Sequence, residues 1–332
     1  MIQEELMKHF GLSGQVRPVK GGAWIHTGDQ SFYLLPVGAL YHEDVRELSQ
    51  LTDALAEWMP EVARVRLTLT GEPTAEIHGH DSVLLAYPNK ANFRTDSLTT
   101  GGRLGRLHQL SRQYSFNKNN RTSYLQWSDL WTDRIEQLEM NVQSVEETRR
   151  ADRRGFEQHL IDVFPYIQGL ADNAIQYAFD TQTDQFIKVP PAITHYRFYE
   201  GLWEDDEATV LSPTHWLVDH PARDVAEWIR AHAWEYGDTE DIKQFIYDYQ
   251  KEMPIDETFH EMVFARLLFP LPMIEIAESF FEQDYRDPDD HRIIQQWRRN
   301  KDRCRQYEAY LKWYAELYLN GRVPHWLQKV ED

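Results

Sequence analysis

The stretch Ile193–Asp224, ITHYRFYEGLWEDDEATVLSPTHWLVDHPARD, constrains this chain more than any other. It reads as a strand, a loop, a second short strand, another loop and then the opening of a helix. Asp219 or His220 with Pro221 just behind is a helix-start signal, because the N–H that proline lacks has no partner in a first turn anyway. A frame of short strands feeding a helix is where many folds hang their chemistry, so the residues it carries need individual weighing.

The chain has 332 residues, long enough for two lobes with substantial cores. A hydrophobic content of 42%, with 13% aromatic, argues against disorder despite the charge. The net charge of -19 repels phosphates and argues against a nucleic-acid partner. Cys304 is the only cysteine, which excludes an intrachain disulfide and a cysteine-rich zinc site and fits a reducing compartment. The opening MIQEELMKHFGL carries acids and lacks the apolar run of a secretory signal, and no segment has the apolar length of a membrane span.

Residues 1–12 place Ile2, Leu6 and Phe10 at helical spacing. Candidate strands follow at Gln15–Lys20, Ala23–Thr27 and Ser31–Val37, joined by Gly21-Gly22 and Gly28-Asp29, which predicts an antiparallel meander. His42–Met59 is an amphipathic helix with Val45, Leu48, Leu51, Leu55 and Trp58 on its apolar face, leaving Glu47 to solvent. Val62–Thr70, with Val65, Leu67 and Leu69 alternating, and Ser82–Tyr87 are two further strands. His78-Gly79-His80-Asp81 reads as a β-turn before it reads as a metal site.

From about residue 95 the pattern is helical, broken by the polar and locally basic loop Ser115–Ser123. Long helices are predicted over Ser128–Glu147 and Arg150–Asp180, and Pro190-Pro191 leads into a strand over Ala192–Arg197. Four more helices follow, at Thr239–Glu252, Asp256–Phe269, Leu271–Phe281 and Pro288–Leu319. The last carries Trp297, Tyr307, Tyr310, Trp313, Tyr314 and Tyr318, an aromatic stripe that reads as core packing or, where exposed, a docking face. His260-Glu261 lacks the second histidine of a zinc helix because residue 264 is Phe264, and neither a phosphate-binding P-loop nor a serine nucleophile elbow occurs.

The segment LVDHPARDVAEWI and the helix GGRLGRLHQLSR, through Leu104, Leu107 and His108, resemble the spore-coat kinase-like family within the aminoglycoside and choline phosphotransferase group. The resemblance implies an α+β, two-lobed, protein-kinase-like (aminoglycoside phosphotransferase-like) fold. A small antiparallel β N-lobe would span residues 1–88, and a larger, mainly helical C-lobe residues 89–332. Active members of that superfamily use H-x-D-x-x-x-x-N and a later magnesium-binding Asp. With the register set by Pro221-Ala222-Arg223-Asp224, His195 falls on the motif histidine. Arg197 then stands at the catalytic Asp, Leu202 at the Asn and Ser212 at the metal-binding Asp.

Arginine stays cationic and accepts no proton, leucine offers a metal no lone pair, and a neutral serine oxygen does not replace a carboxylate beside Mg²⁺. Where the family has Leu-Lys near the nucleotide phosphates, this chain has Leu35-Pro36. The resemblance implies that Asp224 and Arg223 hold the helix start and that His108 is core or a capping partner. The expectation is a catalytically inactive structural protein of the endospore coat, made in the mother-cell cytoplasm. Its partners would be other coat proteins, oligomerisation is left open, and neither ATP nor a metal is expected. Two alternatives stay open: a nucleotide-binding pseudokinase without turnover, or a small-molecule phosphotransferase with relocated ligands. For the first, Gly21, Gly22, Tyr87 and Asn89, the last two at the predicted hinge, are the nucleotide candidates. For the second, Asp219 is the fallback acid and Asp205–Glu207 the substitute metal ligands.

Overall fold

The structure, a computed structural model, describes residues 2–28, 30–88, 98–117, 124–147, 155–184, 189–199, 201–205, 208–235, 237–282 and 291–329. Helix α1 spans Ile2–Phe10, and strands β1 (Gln15–Val19), β2 (Gly22–Thr27) and β3 (Gln30–Pro36) follow. Helix α2 is Val45–Ala56, and β4 (Arg64–Val65), β5 (Thr74–Ile77) and β6 (His80–Tyr87) complete the first sheet. Helices α3 (Thr100–Ser111), α4 (Trp127–Glu147) and α5 (Gly155–Asp184) come next. Strands β7 (Ala192–His195), β8 (Glu204–Asp205), β9 (Ala208–Thr209) and β10 (Trp216–Asp219) then lead into helices α6 (Ala222–Glu235), α7 (Thr239–Glu252), α8 (Glu257–Leu268), α9 (Leu271–Glu282) and α10 (His291–Tyr318).

Two compact units result. One contains residues 1–122, 190–224 and 240–254, and the other residues 123–189, 225–239 and 255–332. In the first, the antiparallel sheet runs β1-β2-β3-β6-β4, with β5 also paired to β6. The side chains of a strand alternate between faces. Ile25, Phe32, Leu34 and Leu84 therefore share one face, where Leu6 and Phe10 of α1 cover them. Asp44 caps α2 by accepting from the amides of Arg46 and Glu47, and Thr99 caps α3 through the amide of Gly102.

Helix α3 has glycine where it meets α7. A methyl at Gly101 would stand 2.4 Å from the Phe245 carbonyl oxygen, and one at Gly105 2.5 Å from that of Tyr249. The two backbones approach each other at side-chain-free positions.

In the second unit α4 packs on α5, α5 on α8, and α10 on α8 and α9. Trp297 and Tyr314 of α10 are fully buried, the Tyr314 hydroxyl lies 2.8 Å from His260 Nδ1, and Tyr307 donates to the Leu267 carbonyl. The aromatic stripe is core packing at these positions. Among the described residues no helix is long and apolar enough to cross a membrane.

The structure corrects three sequence expectations. Trp58 does not close the apolar face of α2. The helix ends at Ala56, Met59 takes the buried place, and Trp58 is 70% exposed. The strand expected over Val62–Thr70 shrinks to Arg64–Val65, paired with β6; past it the Arg66 amide still donates to the Leu84 carbonyl, and then the chain curls onto itself through Thr68, leaving Leu67 and Leu69 exposed. Glu47 is not solvated. It is buried, with His42 Nε2 3.1 Å away and the Asn117 amide donating to it at 2.6 Å. Burial pushes His42 down, and the Glu47 carboxylate opposes that shift. Strand β5 was unforeseen. It forms a hairpin with β6 across His78-Gly79, both at positive φ, so that motif is a two-residue turn.

Candidate functional site

Strand β7, AITH, is buried along its whole length and pairs antiparallel with β10, setting His195 opposite Trp216 and Ala192 opposite Asp219. The chain turns at Pro221, and Asp224 enters the first turn of α6 directly behind β7. Its carboxylate accepts the His195 amide at 2.9 and 3.1 Å and His195 Nδ1 at 2.7 Å. The Asp224 oxygen that meets His195 Nδ1 also faces His108 Nε2 at 3.3 Å, and His108 Nδ1 meets the Tyr249 hydroxyl at 2.8 Å. The indole N–H of Trp203 points at His195 Nε2, 3.2 Å away. An indole only donates, so Nε2 accepts and the His195 proton sits on Nδ1, toward Asp224. Burial alone would push the Asp224 carboxyl up. The imidazoles facing it, His195 foremost, outweigh burial and hold it well below the usual carboxylate range.

Arg223 completes the clamp. Its guanidinium donates to the carbonyls of His195 at 3.0 Å and Tyr196 at 3.1 Å and to Asp219 at 2.9 Å. Asp219 is wholly buried and also accepts the His220 amide at 2.6 Å. Its oxygens face a guanidinium and a backbone N–H, which is the setting of a structural anchor.

The register positions lie on the turns that this clamp supports. Arg197 is half-buried, with its guanidinium 5.8 Å from the Tyr196 ring centre. Leu202 is half-buried just after Gly201, whose φ is +86°. Ser212 Oγ accepts the Tyr87 hydroxyl at 2.9 Å and lies 3.2 Å from Thr214 Oγ1. Leu211, one residue earlier, is stitched to the segment after α2 by hydrogen bonds with Glu61 and Ala63. Tyr41 stacks on Tyr196 with ring centres 4.3 Å apart.

Of the weaker candidates, Gly21 sits in the β1–β2 turn at φ +87°, while Gly22 lies against the ring of Tyr33. Asn89, Asp206 and Glu207 lie outside the described residues, and Asp205 belongs to β8.

Magnesium beside a nucleotide is held by carboxylate and amide oxygens. Leu202 and a hydrogen-bonded Ser212 hydroxyl offer no such pair, and Arg197 is a cation where the register needs a carboxylate. Among the described residues, no three His, Cys, Asp or Glu side chains group as a metal would need. The residues present do not fit magnesium at this register. Sequence reasoning did not anticipate Trp203 or Tyr249, or the contact of Trp24 with Tyr33 and Tyr87; the only signal for the last was aromatic residues two apart on neighbouring strands.

Residues 3–314 match the family model of the spore coat putative kinase YutH. The endospore coat-associated protein YutH of Bacillus subtilis (strain 168) is 30% identical over 304 residues, covering 90% of this chain and 87% of that one. An aminoglycoside phosphotransferase from Alicyclobacillus acidocaldarius superposes with a TM-score of 0.71 at 12% identity, over 96% of this chain and 97% of its own. The spectinomycin phosphotransferase APH(9)-Ia with bound AMP gives a TM-score of 0.61 at 13% identity, over 91% and 93%. At such identities the likeness to solved structures shows the fold alone: two-lobed and kinase-like, with an antiparallel N-terminal sheet and a mainly helical remainder.

Proposed function

The chain belongs to the spore-coat YutH family, and on that footing we propose that it serves the endospore coat as a kinase-like protein without phosphoryl-transfer activity, held there by other coat proteins. One observation carries this reading. At the register set by the His195–Asp224 clamp, the places of base and metal ligands hold Arg197, Leu202 and a Ser212 hydroxyl engaged by Tyr87. A phosphoryl transferred from ATP needs its charge neutralised by metal and its attacking hydroxyl deprotonated. An arginine, a leucine and a serine supply neither.

Relocated chemistry finds little support, because Asp219 is buried against Arg223. What the fold retains is its frame, and a rigid frame suits assembly. The test is product analysis of the purified protein incubated with ATP, Mg²⁺ and a panel of amino and hydroxyl acceptors. ADP release above the protein-free control, abolished by Asp219→Asn, would overturn the reading. Coat recruitment is tested separately: the Arg197→Ala, Ser212→Ala variant should still localise to the coat of sporulating cells and support its assembly.

A further inference from the structure

The sheet face opposite α1 carries Trp24, Tyr33 and Tyr87, because each sits an even number of residues, or directly across the ladder, from the next. Trp24 packs against Tyr33 with ring centres 4.9 Å apart and edge-on against Tyr87 at 4.7 Å. The tip of Tyr33 lies so near Gly22 that a methyl there would stand 3.0 Å from its hydroxyl. The Tyr87 hydroxyl then reaches directly to Ser212.

In a kinase-like fold the nucleotide lies between this sheet and the turn that carries the magnesium carboxylate. A planar base lodged there needs a slot of roughly 7 Å, twice the contact distance between stacked carbons. The rings touch one another, and Tyr87 spans from sheet to turn in a single hydrogen bond. Leu211, bonded to Glu61 and Ala63, fixes that turn against the sheet's own unit. Partial burial also pushes the hydroxyl of the half-buried Tyr33 up.

We propose that the Trp24–Tyr33–Tyr87 cluster is an intramolecular plug in the nucleobase position, latched by Ser212, so that the protein takes up no adenine nucleotide. The inference deepens the reading above, since a frame without catalytic groups gains rigidity when its cleft is filled from within. It is nevertheless separable from that reading: binding without turnover would sink the plug and leave the inactive frame standing, whereas turnover would sink both.

The experiment is calorimetric titration of the full-length protein with adenosine, and with ATP in the presence and absence of Mg²⁺. The expected result for the unaltered protein is no saturable binding up to about 1 mM. Trp24→Ala combined with Tyr33→Ala should open the slot and tighten adenosine binding at least about tenfold, the equivalent of 1.4 kcal/mol. Micromolar binding by the unaltered protein would overturn the proposal, since the rings would then be the receptor. So would a folded double variant no better at binding adenosine than the parent. Should the double variant fail to fold, the strand-compatible single change Tyr33→Val takes its place with the same two outcomes.

Discussion

His195 meets Asp224 twice, through its backbone amide and through its imidazole Nδ1, so that one carboxylate fixes both the strand and the ring. Both groups are buried. Removing a partner from such a pair leaves the other without compensation. Asp224→Ala should therefore cost about 3–5 kcal/mol, read as a shift in the urea unfolding midpoint at unchanged slope. A loss below about 1 kcal/mol would mean the clamp is not what holds β7 to α6.

Acid should weaken the protein in two stages. Burial pushes His260 down to about 4, against the pull of Asp256 and Glu257, and pushes His108, His42 and His215 down as well. Between the unfolded value near 6.5 and the folded one, the unfolded chain holds a proton that the folded chain refuses. Stability is then greatest above about pH 6.5 and falls as pH drops toward 4, with His260 alone accounting for roughly 2–3 kcal/mol. Asp224, held low in the fold, adds a second loss as pH passes below about 4. Thermal melts from pH 7.5 to 4.5 read the first stage, and His260→Gln should flatten it. A melting temperature constant over that range would contradict the assignment.

The contact of α3 with α7 makes opposite predictions for adjacent glycines. Gly101→Ala and Gly105→Ala each drive a methyl into a backbone carbonyl and should destabilise by about 1–3 kcal/mol. At Gly102 the methyl meets the movable tip of Leu98, at 3.2 Å. There the helix preference for alanine, up to about 1 kcal/mol, should prevail. Equal effects at all three positions would show that the close approach is not a determinant of stability.

His78 holds a left-handed conformation, φ +54°, at the first place of the β5–β6 turn, with Gly79 at the second. Asparagine tolerates that conformation better, and Asn-Gly is the preferred pair for such a turn. His78→Asn should stabilise by about 0.4–1 kcal/mol, measured by chemical unfolding.

Restoring Asp, Asn and Asp at positions 197, 202 and 212 should not yield a kinase. Strand β3, QSFYLLP, still carries no lysine for the phosphates, and the rings of Trp24 and Tyr33 stay in contact. The expected result is ADP release indistinguishable from background, and measurable turnover would show that three residues alone separate this frame from an enzyme.

Much of this was legible in the sequence where local periodicity and tertiary need agree. Helix α7 has the bounds its pattern predicts, and α6 opens just behind Pro221. The meander of β1 to β3 follows from its glycine turns. What was not legible depends on partners far along the chain. Glu47 reads as solvated because an acid on a helix usually is, and its burial follows from His42 folding back from the preceding loop. Leu67 and Leu69 alternate like strand residues, yet pairing is decided by β6, whose last bond to this segment takes the Arg66 amide. Trp58 and Met59 differ by one residue, and the helix end chose between them. At the site, the substitutions could be read in register, but that Tyr87 meets Ser212 across 125 residues could not.

The same remoteness sets a timetable. His108 rests on Tyr249, made 141 residues later. At 5–20 residues per second a ribosome needs roughly 7–28 s to supply that partner. During synthesis the imidazole of His108 therefore waits for that hydroxyl, and α3, which can meet α2 early, docks on α7 only once most of the chain has emerged. The interior of the first unit closes late, and its closure waits for α7.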